Sequence, residues 1–225
     1  MRKKHQEASA TVLLSGGQDS ATCLAWALET FSAVRTLGFD YGQRHRIECE
    51  SAKRLAKRAK VDYHCLKLDF IPQLGKNALT DPNCHITQKE NELPSTFVPG
   101  RNVFFLSIAA TWAYQQGDAH VVTGVCQSDY SGYPDCRQNF VTALQQTLSL
   151  ALDTPMTLHT PLMQLSKAQS IRLMQDLGKL DWYADTHTCY EGKRPPCQNC
   201  PACKLRKKGF DHCGLVDPLD AAPQA

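Results

Sequence analysis

Ser15-Gly16-Gly17-Gln18-Asp19-Ser20, set directly after the apolar run Thr11-Val12-Leu13-Leu14, constrains this chain more than any other stretch. Two consecutive glycines permit a tight turn that bulkier residues would resist. Beyond the turn, Ala21, Leu24, Ala25 and Leu28 recur at helical spacing. A strand therefore enters the turn and a helix leaves it. Such a turn lets backbone N–H groups crowd against an anion, and the helix points its positive end at the same place. Phosphate suits that arrangement. The spacing matches neither G-x-x-x-x-G-K-[ST] nor G-x-G-x-x-G. An ordinary strand–turn–helix with capping serines is the plainer alternative, and the correct flanks on both sides favour the phosphate cradle.

The same alternation runs along the chain. A helix over Ser20–Phe31 is followed by a strand over Val34–Asp40 and a helix bearing Ala52, Leu55, Ala56 and Ala59. Tyr63–Leu68 reads as a third strand, and the polar stretch Thr80–Pro99, which has no period, as a loop or lid. The apolar helix Asn102–Gln116 precedes the strand His120–Gly124. Next come the helix Gln138–Leu150, the short strand Met156–His159, and a helix capped by Ser166 that ends at Gly178. Alternation of this kind predicts an α/β fold with a doubly wound, mainly parallel sheet. Its ligand site belongs beyond the carboxyl ends of the strands.

A chain of 225 residues fits one such domain with a small appendage. The net charge of +3 is too mild to indicate a nucleic-acid binder by itself. Met1–Glu7 is basic but lacks the apolar stretch of a signal peptide, and no run is long enough to span a bilayer, so a cytoplasmic location is expected. Eleven cysteines need explaining there, because a reducing compartment disfavours disulfides. Cys23, Cys49 and Cys65 read as small buried hydrophobes. Cys189, Cys197, Cys200 and Cys203 form C-x7-C-x2-C-x2-C, a spacing that closes a tetrahedral zinc site. Four thiolates leave no position for water, so the role is structural. An iron–sulfur cluster also accepts four cysteines, and Cys213 is a spare ligand outside the repeat. Lys193, Arg194, Lys204, Arg206, Lys207 and Lys208 are at hand to offset the negative charge of such a site. The implied division is an α/β domain over 1–186, a metal-binding segment over 187–214 and a tail over 215–225, with Ala221–Ala225 disordered.

Other residues carry chemistry with less specificity. Asp19 is a ligand for the Mg²⁺ that accompanies nucleotide phosphates, or else a helix cap. Lys167 opens a helix, where a cation opposes the dipole, a conflict that a bound phosphate removes; a solvated lysine is the alternative. Arg101 can grip phosphates or a substrate carboxylate bidentately, or face solvent at its helix start. Thr123–Arg137 ends a strand with two tyrosines, two carboxylates and an arginine, groups able to stack on a planar heterocycle and accept from its N–H edge. Phe39–Arg46 follows another strand and suits contacts to adenosine, with His45 available for acid–base work.

The glycine turn resembles the S-G-G-x-D-S loop of the ATP pyrophosphatases, enzymes that split ATP into AMP and pyrophosphate to activate a carbonyl-type oxygen. Together with FDYGQRHR, FVPGRN, TGVCQSDYSGYPDCR, the TPL…SK segment and the cysteine quartet, it makes the chain similar to the 7-cyano-7-deazaguanine (preQ0) synthase family, the QueC proteins of queuosine biosynthesis. These blocks span about Leu13–Phe210. The resemblance implies an adenine nucleotide alpha hydrolase-like fold, a homodimer, ATP with Mg²⁺, and one structural zinc ion per chain. It implies a ligase that turns 7-carboxy-7-deazaguanine and ammonia into the nitrile through an adenylated acid and an adenylated amide. It assigns Leu14, Ser15, Gly16, Gly17, Gln18, Asp19 and Ser20 to ATP, and Asp19, Lys167 and Arg101 to catalysis. Arg101, Tyr133, Asp135 and Arg137 fall to the deazaguanine, and neither nucleic acid nor membrane is required. Ammonia would arrive free or from a partner. Three rivals share parts of the pattern. One is a tRNA-thiolating pyrophosphatase with Cys126 or Cys136 as sulfur carrier, against which the mild charge counts. A second is a zinc module binding nucleic acid through Lys204–Lys208, against which the intact loop counts. The third is a relative that transfers deazaguanine to another acceptor.

Overall fold

A computed structural model describes residues 5–75, 77–81, 83–85, 87, 93–127 and 133–221. The strands are β1 (His5–Leu13), β2 (Phe31–Asp40), β3 (Tyr63–Lys67), β4 (His120–Val122) and β5 (Thr157–His159). The helices are α1 (Gln18–Thr30), α2 (Ile47–Ala59), α3 (Arg101–Gln115), α4 (Gln138–Ala151), α5 (Lys167–Asp176), α6 (Pro201–Cys213) and the short α7 (Pro218–Ala221). Turns of 3₁₀ helix occupy Ile71–Leu74, Pro134–Cys136 and Leu180–Asp185. No helix among the described residues is long and apolar enough to cross a membrane.

All four strand pairings are parallel, in the order β3-β2-β1-β4-β5. The chain winds outward from β1 to β3, then returns through α3 to place β4 on the other side of β1. That reversal opens a crevice at the carboxyl ends of β1 and β4, where doubly wound folds bind ligands. Side-chain alternation along the strands separates the two faces. Val12 and Val122 join a core with α1, α2, α5 and Phe210 of α6. Leu13 and Val121 join the opposite core with α3 and α4. The helix α6, which follows the cysteines, thus shares the first core of the α/β domain.

Several boundaries differ from expectation for physical reasons. The α1 helix ends at Thr30 and Phe31 already belongs to β2, with its ring edge-on to Trp26 at 6.0 Å. No loop intervenes. The β1 strand begins six residues before Thr11, and its Ser9 and Thr11 are satisfied: the buried Asp118 carboxylate accepts from Ser9 Oγ, from Thr11 Oγ1 at 2.7 Å and from Arg35 Nη1 of β2 at 2.7 Å. This network sits at the amino end of the sheet, away from the crevice. Ser166 caps α5 as expected and forms a capping box with Gln169. Cys23 is buried, but Cys49 is only half-buried and Cys65 is exposed, which corrects their reading as core residues. The expected disorder of Ala222–Ala225 and the residues Ser128–Gly132 of the aromatic loop lie outside the described residues.

Candidate active site

The turn after β1 is shaped by what each glycine touches. Gly16 has φ +87°, and a Cβ there would lie 2.2 Å from the Glu48 carbonyl oxygen and 2.7 Å from the Ala52 nitrogen of α2. Only glycine allows that approach. The Gly16 carbonyl accepts from the His187 N–H at 2.9 Å, which ties the loop to the segment before the cysteines. Gly17 is the N-cap of α1 with φ −80° and ψ 169°, and, lacking a side chain, it offers the first-turn N–H groups no capping acceptor. Those donors are suited to an anion. Ser20 Oγ donates to the Gly17 carbonyl at 3.0 Å and lies 3.2 Å from Ser15 Oγ. Gly124, after β4, lets α1 come close: a Cβ there would stand 3.2 Å from Asp19.

These elements line a cavity of about 640 Å³, within the range of small-molecule sites. Leu14, Ser15, Gly17, Gln18, Asp19, Ser20, Lys167, Arg101 and Tyr133 all reach its wall, with Gly16 packed behind the loop on α2. Lys167 Nζ donates to both Asp19 oxygens, at 2.8 and 2.7 Å. The cation that looked misplaced at a helix start is thus paired with the carboxylate of the loop. Arg101 opens α3 with its guanidinium 5.9 Å from the centre of the Phe105 ring. Tyr133 stacks on Phe97 at 5.6 Å, and its hydroxyl is 2.6 Å from Thr96 Oγ1.

Two sequence candidates stand elsewhere. Asp135 is buried behind the wall, where its Oδ2 accepts from the Asn102 N–H at 3.1 Å and its carbonyl from Asn102 Nδ2 at 2.9 Å. It fixes the first turn of α3, and so the helix end that carries Arg101. Arg137 is exposed at the N-cap of α4, outside the cavity wall. From Phe39–Arg46, Phe39, Tyr41 and Gln43 line the cavity. His45 does not; its ring packs on Gly192, and its Nε2 is buried without a partner among the described residues. Cys126 is buried with its thiol 3.1 Å from the Leu165 carbonyl.

Glu48 is a cavity residue that the motif reading did not single out. It sits in the first turn of α2 and keeps a partial opening onto the cavity. Withdrawal from bulk water pushes its carboxyl up to about 7, with Arg101 working in the opposite direction. Burial likewise pushes the Tyr41 hydroxyl up to about 12. A signal was available in the sequence: Glu48 precedes Ser51, Ala52 and Leu55 at helical spacing, so a carboxylate lies on the buried stripe of its helix.

The four cysteines converge. The sulfur atoms of Cys189, Cys197, Cys200 and Cys203 all lie within 4.8 Å of one another, with Cys197 and Cys203 at 3.9 Å. Backbone N–H groups point at them, Cys197 N to Cys189 Sγ at 3.4 Å and Cys200 N to Cys197 Sγ at 3.3 Å. Cys200 is also the N-cap of α6, followed by Pro201. Hydrogen bonding from Cys203 holds the Cys200 thiol down at about 5, and that bond with burial pushes Cys203 up. A closely spaced quartet of sulfur donors fits a metal ion. The basic residues expected to offset its charge mostly serve other ends. Arg206 is buried and bonds Asp217 at 2.5 and 2.7 Å, Arg194 bonds the Ala184 carbonyl at 2.6 Å, and Lys207 pairs with Asp211. Lys204 and Lys208 line the cavity. Cys213 is outside the quartet, its thiol 3.3 Å from the Ala168 carbonyl.

Comparison with known proteins bears on this site. A profile of the family described as "Queuosine biosynthesis protein QueC" matches residues 9–214. The 7-cyano-7-deazaguanine synthase of Chromobacterium violaceum is 51% identical over 221 residues, covering 96% of this chain and 94% of that protein. The enzyme of the same name from Bacillus subtilis is 50% identical over 204 residues, covering 90% and 93%. Among solved structures, NMN synthetase from Francisella tularensis aligns with a TM-score of 0.48 and 16% identity over 96% of this chain and 78% of that chain, too distant to speak to chemistry. With the profile matched across most of its length and half of its residues shared with these enzymes almost end to end, the chain belongs to the QueC family of queuosine biosynthesis proteins.

Proposed function

We propose that this protein is an ATP-dependent ligase that converts 7-carboxy-7-deazaguanine and ammonia to 7-cyano-7-deazaguanine in queuosine biosynthesis. The observation that carries the reading is the 51% identity, over 96% of the chain, to an enzyme of that name. The site is consistent with the chemistry. A carboxylate is a poor electrophile until its oxygen is placed on the α-phosphorus of ATP with loss of pyrophosphate. The first-turn N–H groups of α1, with Ser15 and Ser20, hold the phosphates and stabilise charge on the departing pyrophosphate. One well-placed donor of this kind is worth about 10²–10³ in rate. Arg101 holds the substrate carboxylate and Tyr133 stacks on the heterocycle, while Asp135 sets the position of Arg101 from behind. Lys167 orients Asp19, the loop carboxylate open to a magnesium ion that arrives with ATP. Ammonia displaces AMP to give the amide, and a second adenylation in the same pocket leads to the nitrile.

The four cysteines would hold one zinc ion in each chain, a structural clamp that fixes the start of α6 and with it one wall of the cavity. Family membership supports a cytoplasmic homodimer. Purified protein incubated with ATP, Mg²⁺, ammonia and the carboxy-deazaguanine should yield the nitrile and AMP by mass. AMP without nitrile would leave an adenylating enzyme and refute the assigned substrate. Metal analysis should return zinc without the visible absorption of an iron–sulfur cluster, and chelation should cost both stability and turnover.

A further inference from the structure

The nitrile nitrogen keeps none of the four hydrogens that ammonium brings to the site. Every turnover of the proposed reaction therefore strips four protons from one nitrogen, beside one carbon. Ammonium loses the first as its lone pair is freed to form the C–N bond, while the C–O bond to AMP breaks with its electron pair leaving on phosphate oxygen. The second leaves the nitrogen after attack, giving the neutral amide. In the second round the amide oxygen forms a bond to the α-phosphorus and pyrophosphate departs. The last two protons leave as the C–O bond breaks and the third C–N bond closes. Such a sequence needs a base inside the cavity that accepts a proton, releases it and is ready again.

Two carboxylates line the cavity among the described residues, Asp19 and Glu48. Asp19 is clamped by Lys167 through both oxygens. The Glu48 carboxylate makes no hydrogen bond or ion pair among the described residues. Its backbone carbonyl lies against Gly16 of the phosphate loop, and Arg101 is its strongest charged neighbour. We propose that Glu48, lining the cavity beside the phosphate loop and Arg101, is the base that takes these protons from the substrate nitrogen. The assignment rests on the reaction proposed above.

The groups that face Glu48 come from several elements: Arg101 from α3, Tyr41 from the end of β2, Tyr190 from the cysteine segment and Cys49 from its own helix. Arg44, His45 and Cys189 share a second, smaller cavity with it. Arg101 is the permanent charge among the first group and favours the carboxylate. Desolvation favours the acid, and the balance near neutrality suits a group that must load and unload at cellular pH. Arg101 and Glu48 then divide the work, one holding the carbon's oxygens and the other relieving the nitrogen.

Glu48→Gln keeps the size of the side chain and removes its basicity. The variant should adenylate 7-carboxy-7-deazaguanine, read as substrate-dependent pyrophosphate exchange, within about threefold of wild type, while ammonia-dependent amide and nitrile formation falls by about 10²-fold or more. Hydroxylamine, which is uncharged at neutral pH and so skips the first of these deprotonations, should trap the adenylate as hydroxamate with a loss at least about tenfold smaller than the one ammonia shows. Normal exchange shows that the variant is folded. Ammonia-dependent turnover near the wild-type rate would overturn the proposal. So would loss of exchange itself, which would place Glu48 in binding instead. A wild-type enzyme that forms no adenylate with this substrate would overturn the reaction assignment and, with it, this inference.

Discussion

Gly16 and Gly17 stand side by side in the phosphate loop, and replacing each with alanine should fail in opposite ways. At Gly16 the left-handed backbone costs a residue with a Cβ about 1–2 kcal/mol. The added methyl would meet backbone of α2 at 2.2 and 2.7 Å, atoms that cannot swing aside as a side chain could. Overpacking of that kind adds about 1–3 kcal/mol. A total of about 3 kcal/mol corresponds to a fall in Tm of roughly 6–12 °C for a chain of this size. At Gly17 the backbone is extended and a Cβ would find its nearest neighbours at 3.5 and 3.6 Å, ordinary contact distances. Alanine there restricts the unfolded chain, which stabilises by about 0.4–1 kcal/mol, and is a poorer N-cap than glycine by a similar amount. Stability should therefore stay within about 1 kcal/mol of wild type. The methyl, however, faces the cavity where phosphate must meet the first-turn N–H groups. Losing one or two charge-assisted hydrogen bonds, about 3 kcal/mol together, weakens binding about 10²-fold. Differential scanning fluorimetry and titration calorimetry with Mg·ATP separate the two effects. Gly17→Ala binding ATP like wild type, or Gly16→Ala melting like wild type, would refute the reasoning.

Asp217→Ala leaves the Arg206 guanidinium buried without its carboxylate, which should cost about 3–5 kcal/mol by chemical denaturation. A loss below about 1 kcal/mol would mean that the pair behaves as an exposed one. Glu48 makes a prediction about stability that is separate from its chemistry. Its carboxyl rises from the usual 4.5 to about 7 on folding, so between those values the folded chain binds more protons than the unfolded one and stability falls as pH rises. Glu48→Gln should therefore melt progressively higher relative to wild type as pH goes from 5 to 8, by roughly 2–3 kcal/mol at the upper end. Melting curves that stay parallel across that range would count against the shift.

Much of this architecture could be read from the residues, because the features that specify it are local. Alternating apolar runs and helical stripes marked the five strands, the helices α1 to α5 and the parallel sheet, and the C-x7-C-x2-C-x2-C spacing marked four sulfur atoms that do converge. What escaped depended on partners distant in sequence. The α6 helix was hidden because its buried stripe, Cys203, Arg206, Gly209, Phe210 and Cys213, contains an arginine and a glycine where apolar residues are expected. Arg206 tolerates burial through Asp217, Thr186 and Thr188, and Gly209 is small because Lys167 and Ile171 of α5 press against it. Asp135 looked like a ligand for an N–H edge and does accept one, but the N–H is the backbone of Asn102. Among polar residues of a loop, local pattern cannot tell a helix cap from a substrate contact.

The position of β1 at the centre of the sheet also bears on how the chain matures. One flank of this strand is supplied by β2, some twenty residues later, but the other comes from β4, where Thr11 meets Val121. A nascent chain leaving the ribosome would carry the complete glycine turn long before it possessed the crevice around it. Pairing across so long a stretch of sequence is slow. In the proposed ligase, nucleotide capture would therefore wait until the second half of the chain has docked beside β1.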